Sequence, residues 1–232
     1  MHKLWIGVAG LLLSMSARAE LVTFEYTGMV NFIREWPVNQ QYTHARALAA
    51  STIAPGTIRV GHTFSGTLTY DTAMNRWNMG DPALEGYYSD LGNGRYVPSS
   101  TIRFDQAGWQ LLTRPQSPLI TVFDLGTDYA SISYALAPNG NLWFSLSSGI
   151  DALNGPAIPS DIDLARFDEP FVTLTWTNDQ ASATLETRGM LTSLTRVAPV
   201  PEPSTYLLLA AGLAVVAGGA RRRAARLNVS PT

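Results

Sequence analysis

From residue 21 onward the chain alternates. In LVTFEYTGMV, Val22, Phe24 and Tyr26 fall on one side of an extended backbone and Thr23, Glu25 and Thr27 on the other. That period of two marks a strand with one buried face. TIRVGHTFSGTLTYD repeats it with Ile58, Val60, His62 and Phe64, then Leu68 and Tyr70, and Gly61 and Gly66 read as bulges or points of close approach. STIRFD, GWQLL, LITVFDL, YASISYAL, NLWFSLS, FVTLTWT and SATLETRGMLTSLTRV bring the predicted strands to at least nine. Pro138-Asn139-Gly140-Asn141 between two of these runs carries the Asn-Gly signal of a tight hairpin. YTHARALAAST, residues 42 to 52, reads as the one short helix or else as a crossover loop. Many short strands with Gly and Pro turns predict an all-β domain, a β-sandwich or jelly roll.

Residues 71 to 100 break the rhythm. They are rich in Gly, Asn and Asp and hold Trp77, Tyr87, Tyr88 and Tyr96 without sustained alternation. Long irregular segments in compact domains are often functional, so a ligand is expected here.

The two ends follow different rules. Met1, His2 and Lys3 precede the apolar run Leu4 to Leu13, and Ala17-Arg18-Ala19 precedes Glu20. A positive start, a short apolar stretch and an Ala-x-Ala site make a secretory signal peptide over residues 1–19, cut between Ala19 and Glu20. The export machinery implied is the Sec translocon and signal peptidase. At the other end Pro201-Glu202-Pro203 precedes an uncharged run from Tyr206 to Ala220 and then Arg221, Arg222 and Arg223. The run is about 22 Å long as a helix, short of a ~30 Å hydrocarbon core, but flanking arginines can snorkel. The arginines place the tail, residues 227–232, in the cytoplasm and the domain, residues 20–198, outside. Prolines on both sides of Glu202 hold the triplet extended, open to a membrane-embedded enzyme.

Composition narrows the chemistry. The chain has no cysteine, which excludes disulfides, thiolate metal sites and a thiol nucleophile. Between the signals lie ten arginines, no lysine and seventeen acidic residues, a balance of about minus seven. Such a domain repels nucleic acid and anionic lipid.

Few residues suggest catalysis. His44 and His62 are the histidines beyond the leader, neither beside a nucleophile motif. His62 is in phase with Ile58, Val60 and Phe64 and reads as a histidine packed on a sheet face. Asp161, Asp163, Asp168 and Glu169 gather hard oxygen ligands in DIDLARFDE. Such ligands suit calcium, but EF-hand spacing is lacking and loop carboxylates are usually only solvated, so no metal is expected and calcium is the alternative. No other cofactor is expected. Trp109, Trp143 and Trp176 lie in strand-like runs and read as core, whereas Trp36 and Trp77 sit in irregular stretches and suit sugar stacking.

Pro201-Glu202-Pro203, the apolar run and the arginine cluster together resemble the C-terminal sorting signal of PEP-CTERM proteins, over residues 199–226. The front of the domain, VTFEYTGMV and VGHTFSGTLTYD, with the closing RGMLTSLT, resembles a β-rich domain common among such proteins. The resemblance implies an exosortase, an integral-membrane cysteine transpeptidase of Gram-negative bacteria, as the partner that cuts at or near the triplet. It also implies anchoring in the inner membrane by a helix at 206–220, then release to the cell surface or extracellular matrix, where family members are associated with polysaccharide and biofilm. Pro201, Glu202, Pro203 and Arg221 to Arg223 are then substrate residues. The resulting expectation is a noncatalytic exported matrix protein. The alternative is a carbohydrate-binding module using Trp77, Tyr87 and Tyr88, with or without calcium; a secreted polysaccharide hydrolase comes third.

Overall fold

The computed structural model describes residues 21–38, 45–77, 81–89, 97–136, 139–149 and 152–198. The chain divides into two compact units, Met1–Val197 and Ala198–Thr232, and the architecture below is that of the first. The predicted signal peptide, His44, Tyr96, the Pro-Glu-Pro triplet, the 206–220 run and the arginine cluster lie outside the described residues. Among the described residues no helix is long and apolar enough to cross a membrane.

The domain is all-β. Fourteen strands run in chain order: β1 Leu21–Pro37, β2 Arg46–Ala47, β3 Ala50–Ser51, β4 Ile58–Arg59, β5 Thr63–Asp71, β6 Arg76–Trp77, β7 Glu85–Tyr88, β8 Thr101–Phe104, β9 Trp109–Leu112, β10 Leu119–Asp124, β11 Asp128–Leu136, β12 Gly140–Ser148, β13 Glu169–Asn178 and β14 Ala183–Arg196. One antiparallel sheet follows the order β6-β7-β10-β11-β12-β13-β14-β1-β5-β8-β9, with β2 added to β1 and β3 and β4 paired separately. The sandwich expected from the strand pattern is thus a single continuous sheet that curls upon itself. Thr113, just past β9, bridges Leu136 of β11, and the Arg114 N–H donates to the Ala135 carbonyl at 3.0 Å. Strands far apart along the sheet path therefore meet, which protects one edge from further pairing.

The concave side of the curl holds the core. Val22, Phe24 and Tyr26 of β1 are buried while Glu25 and Thr27 are exposed, as the alternation requires. Rings reach across the curl: Tyr26 of β1 meets Phe144 of β12 edge-on at 5.0 Å, and Trp109 of β9 meets Trp176 of β13 at 5.3 Å. Three phenols inside are satisfied by carbonyls, Tyr26 donating to Thr101, Tyr134 to Thr69 and Tyr70 to Pro159, at 2.6, 2.6 and 2.7 Å. A buried hydroxyl without such a partner would be costly. Burial pushes the Tyr26 and Tyr134 phenols well up from their ordinary value, and likewise that of Tyr70, where Arg196 pulls it back in part.

Three of the stretches quoted above lie on three neighbouring strands. VTFEYTGMV is in β1, TFSGTLTYD is β5, and RGMLTSLT is in β14; β1 lies between the other two. Their glycines have a joint purpose. A Cβ on Gly28 would stand 2.2 Å from the Phe64 ring, and one on Gly189 also 2.2 Å from it. Two adjacent strands thus leave a bare floor on which the Phe64 ring lies. Beside it, a Cβ on Gly66 would strike the Thr101 carbonyl at 2.0 Å, so this glycine permits the close approach over which Tyr26 reaches Thr101.

Several local expectations change. Ile58 to Tyr70 is not one strand: the chain turns at Val60 and Gly61, whose φ is +90°. His62 is a half-buried turn residue whose Nδ1 accepts the Arg59 N–H at 3.4 Å, not a residue of a sheet face. The Ala-rich stretch drawn as a helix at 42 to 52 forms β2 and β3 over its described part, because Ala47 pairs with Arg34 of β1 and Ser51 with Ile58. Tertiary pairing outweighs alanine's helix preference. Gly140 opens β12 opposite Leu136, so β11 and β12 are the antiparallel neighbours predicted, with a connection one residue longer.

Candidate functional site

The irregular region at 71 to 100 contains two short strands. β6 pairs with β7 so that Arg76 faces Tyr88 and Trp77 faces Tyr87. β7 then pairs with β10, and β10 with β11. Alternation along β7 separates the two tyrosines. Tyr88 turns into the core, 8% exposed, and its hydroxyl donates to the Pro156 carbonyl at 2.6 Å. It does not share a surface with Trp77, which corrects its place among the predicted sugar contacts.

Tyr87 and Trp77 do come together on the outer face. Trp77 is 53% exposed, and its indole N–H donates to the Ser89 carbonyl at 3.3 Å. Two rings not singled out from the sequence extend this pair. Tyr87 meets Phe123 of β10 edge-on at 5.5 Å, and Phe123 stacks on Tyr129 of β11 at 5.9 Å. Trp77, Tyr87, Phe123 and Tyr129 thus form an aromatic row across four neighbouring strands. Phe123 and Tyr129 have a sequence signal: each is out of phase with its strand's buried residues, Ile120 and Val122, and Ala130 and Ile132.

The other tryptophans divide differently from expectation. Trp109 and Trp176 are core, at 6% and 9% exposure. Trp143, expected there too, points outward from β12, 38% exposed, because Leu142 and Phe144 take the inner positions. Trp36 is a half-buried residue of β1, its ring 5.8 Å from the Arg34 guanidinium carbon.

The acidic run does not converge. Asp163 caps a single 3₁₀ turn, Leu164–Arg166, accepting the Ala165 N–H at 3.1 Å. Asp168 accepts the Gly149 N–H at 2.9 Å. Asp161 lies close enough to Tyr70 to help raise its pKa, and Glu169 opens β13. Among the described residues no three such groups could hold a metal ion together.

The domain's two ends lie side by side. Phe24 near the start of β1 pairs with Arg196 at the end of β14, and the Val197 N–H donates to the Thr23 carbonyl at 2.8 Å. Beyond this pairing the PEP-CTERM protein-sorting motif matches residues 199–223. The chain therefore carries a PEP-CTERM sorting motif, which marks it as an exported protein sorted by an exosortase. No curated protein and no solved structure matches the chain.

Proposed function

We propose that this chain is a noncatalytic surface or extracellular-matrix protein, held in the inner membrane through residues 206–220 until an exosortase cuts at Pro201-Glu202-Pro203. The sorting-motif match at 199–223 carries this reading. The leader, residues 1–19, delivers the chain to the Sec translocon and signal peptidase, and Arg221 to Arg223 hold the tail in the cytoplasm. Mass spectrometry of the mature protein from its host tests both ends: a start at Glu20 and an end near the triplet are expected. Glu202→Ala is expected to leave full-length protein in the inner membrane. Normal processing of that variant would overturn the reading.

A second reading, carbohydrate binding, is favoured by the aromatic row. Trp77 is more than half exposed on a sheet face where flat rings line up, and rings of this kind suit the apolar faces of sugars. Polysaccharide binding lost in Trp77→Ala would support it, and unchanged binding would remove it.

A further inference from the structure

On the same outer face, at the other end of the sheet, lies a groove of about 560 Å³. It has the volume of a small-molecule site but the lining of none of the usual apolar ones. Register builds it from two neighbouring rungs. One sets Thr195, Glu25, Thr67 and Thr101 side by side; the other sets Ser193, Thr27, Ser65, Arg103 and Gln110. Five strands, β14, β1, β5, β8 and β9, therefore contribute, and at about 4.8 Å per strand the groove runs roughly 19 Å across them. Its floor is the bare backbone of Gly66. The register shift at Thr27/Gly28 leaves Thr192 as the extra residue of a bulge beside it, and bulges deepen local twist.

The chemistry of the lining selects a ligand class. An anion would meet one guanidinium, Arg103, already 3.0 Å from Asp105, and the carboxylate of Glu25. A metal ion would find Glu25 as its lone carboxylate among the lining residues. An apolar ligand would bury hydroxyls without return. A neutral polyhydroxylated chain fits, because hydroxyls donate and accept as its own do. Thr27 is 2.7 Å from Ser193 and Thr67 3.1 Å from Thr101, and the Ser193 and Thr67 hydroxyls each keep at least one lone pair for a ligand. Among the described residues the side chains of Glu25 and Gln110 have no protein partner; a carboxylate there can accept from two adjacent hydroxyls of a sugar.

From this juxtaposition of Glu25, Gln110 and the Ser/Thr rungs over Gly66, we infer that the groove is a binding site for a neutral glycan chain. It is separate from the aromatic row and stands on neither reading above. Affinity electrophoresis of the full chain through gels containing dextran, a neutral β-glucan or anionic alginate tests it. Retardation by at least one neutral polymer is expected, weakened about tenfold by Glu25→Gln, the loss of a charge-assisted hydrogen bond, and severalfold by Gln110→Ala. Both residues are exposed, and an unchanged urea midpoint separates lost binding from lost fold. Weakening by Glu25→Gln upholds the proposal whether or not Trp77→Ala also acts. Weakening by Trp77→Ala alone leaves the aromatic row and overturns the groove. Retardation by alginate alone, or by no polymer, overturns it as well.

Discussion

Two sets of aromatic rings occupy the two sides of one sheet. Phe24, Tyr26, Phe64, Phe104 and Phe144 stand on the inner side, each at or below 2% exposure. Trp77, Tyr87, Phe123 and Tyr129 stand on the outer side, half-buried or exposed. Both sets consist of rings on antiparallel strands. What separates them is the direction of the curl, which buries one side of the longer strands and leaves the other facing solvent. The inner rings are held by shape, down to two glycines cleared for Phe64. Of the outer rings, Tyr87, Phe123 and Tyr129 contact one another in sequence, and Trp77 lies more than half exposed.

The strongest way to break the comparison is to remove an inner ring. Phe64→Ala is expected to cost about 3–5 kcal/mol, the usual range for deleting a buried phenyl group, read from the urea midpoint. A cost below about 1 kcal/mol would mean that the glycine floor does not define a packed site. Filling the floor comes next. Gly189→Ala is expected to cost about 1–3 kcal/mol through overpacking, and less once Phe64 is already alanine, because the added methyl then replaces part of the ring. A double-mutant cycle reads this coupling; strict additivity would show that the two residues do not share the space.

Alkali acts on the inner set through Tyr26, Tyr70 and Tyr134. Their folded pKa values lie above the ordinary value of 10.0, raised first of all by burial. Folding therefore favours the neutral phenol. That contribution is complete below about pH 10 and is lost as pH climbs above it toward the folded values. Phenolate absorbance is expected to show three tyrosines ionising only together with loss of far-UV strand signal. Smooth ionisation of all tyrosines in a folded protein would contradict it. The smallest expected effect sharpens the contrast: Trp77→Ala should shift stability by no more than about 0.5 kcal/mol, although it removes a larger ring than Phe64→Ala does.

Much of the fold is legible in single strands and little of the surface is. Val22, Phe24 and Tyr26 declare a buried face without help, and β8 to β14 fall where alternation puts them. The bare run LVTFEYTGMV nevertheless conceals a strand that continues to Pro37, because the register shift between Val30 and Phe32 changes the phase and brings Ile33 inward. Tyr87 and Tyr88 form a pair in which one ring must face in and one out. Nothing local says which, so both read from sequence as candidate surface rings. Trp143 errs in the opposite direction, since a tryptophan in an apolar run resembles core until Leu142 and Phe144 are seen to occupy it. The groove is further removed still: one rung joins residues 25 and 195 and the other residues 27 and 193, which no local pattern relates.

The sequence by itself determined the class of the domain, most of its longer strands and the sorting motif, because a period of two and a Pro-Glu-Pro triplet before an apolar run are properties of neighbouring residues. Only the tertiary structure decided which of two adjacent rings such as Tyr87 and Tyr88 turns inward, which rings meet, and where Glu25, Thr67 and Gln110 come to share a groove. Alternation states that successive side chains oppose one another; the sign of that opposition comes from the curl, and the curl is made by contacts between distant strands.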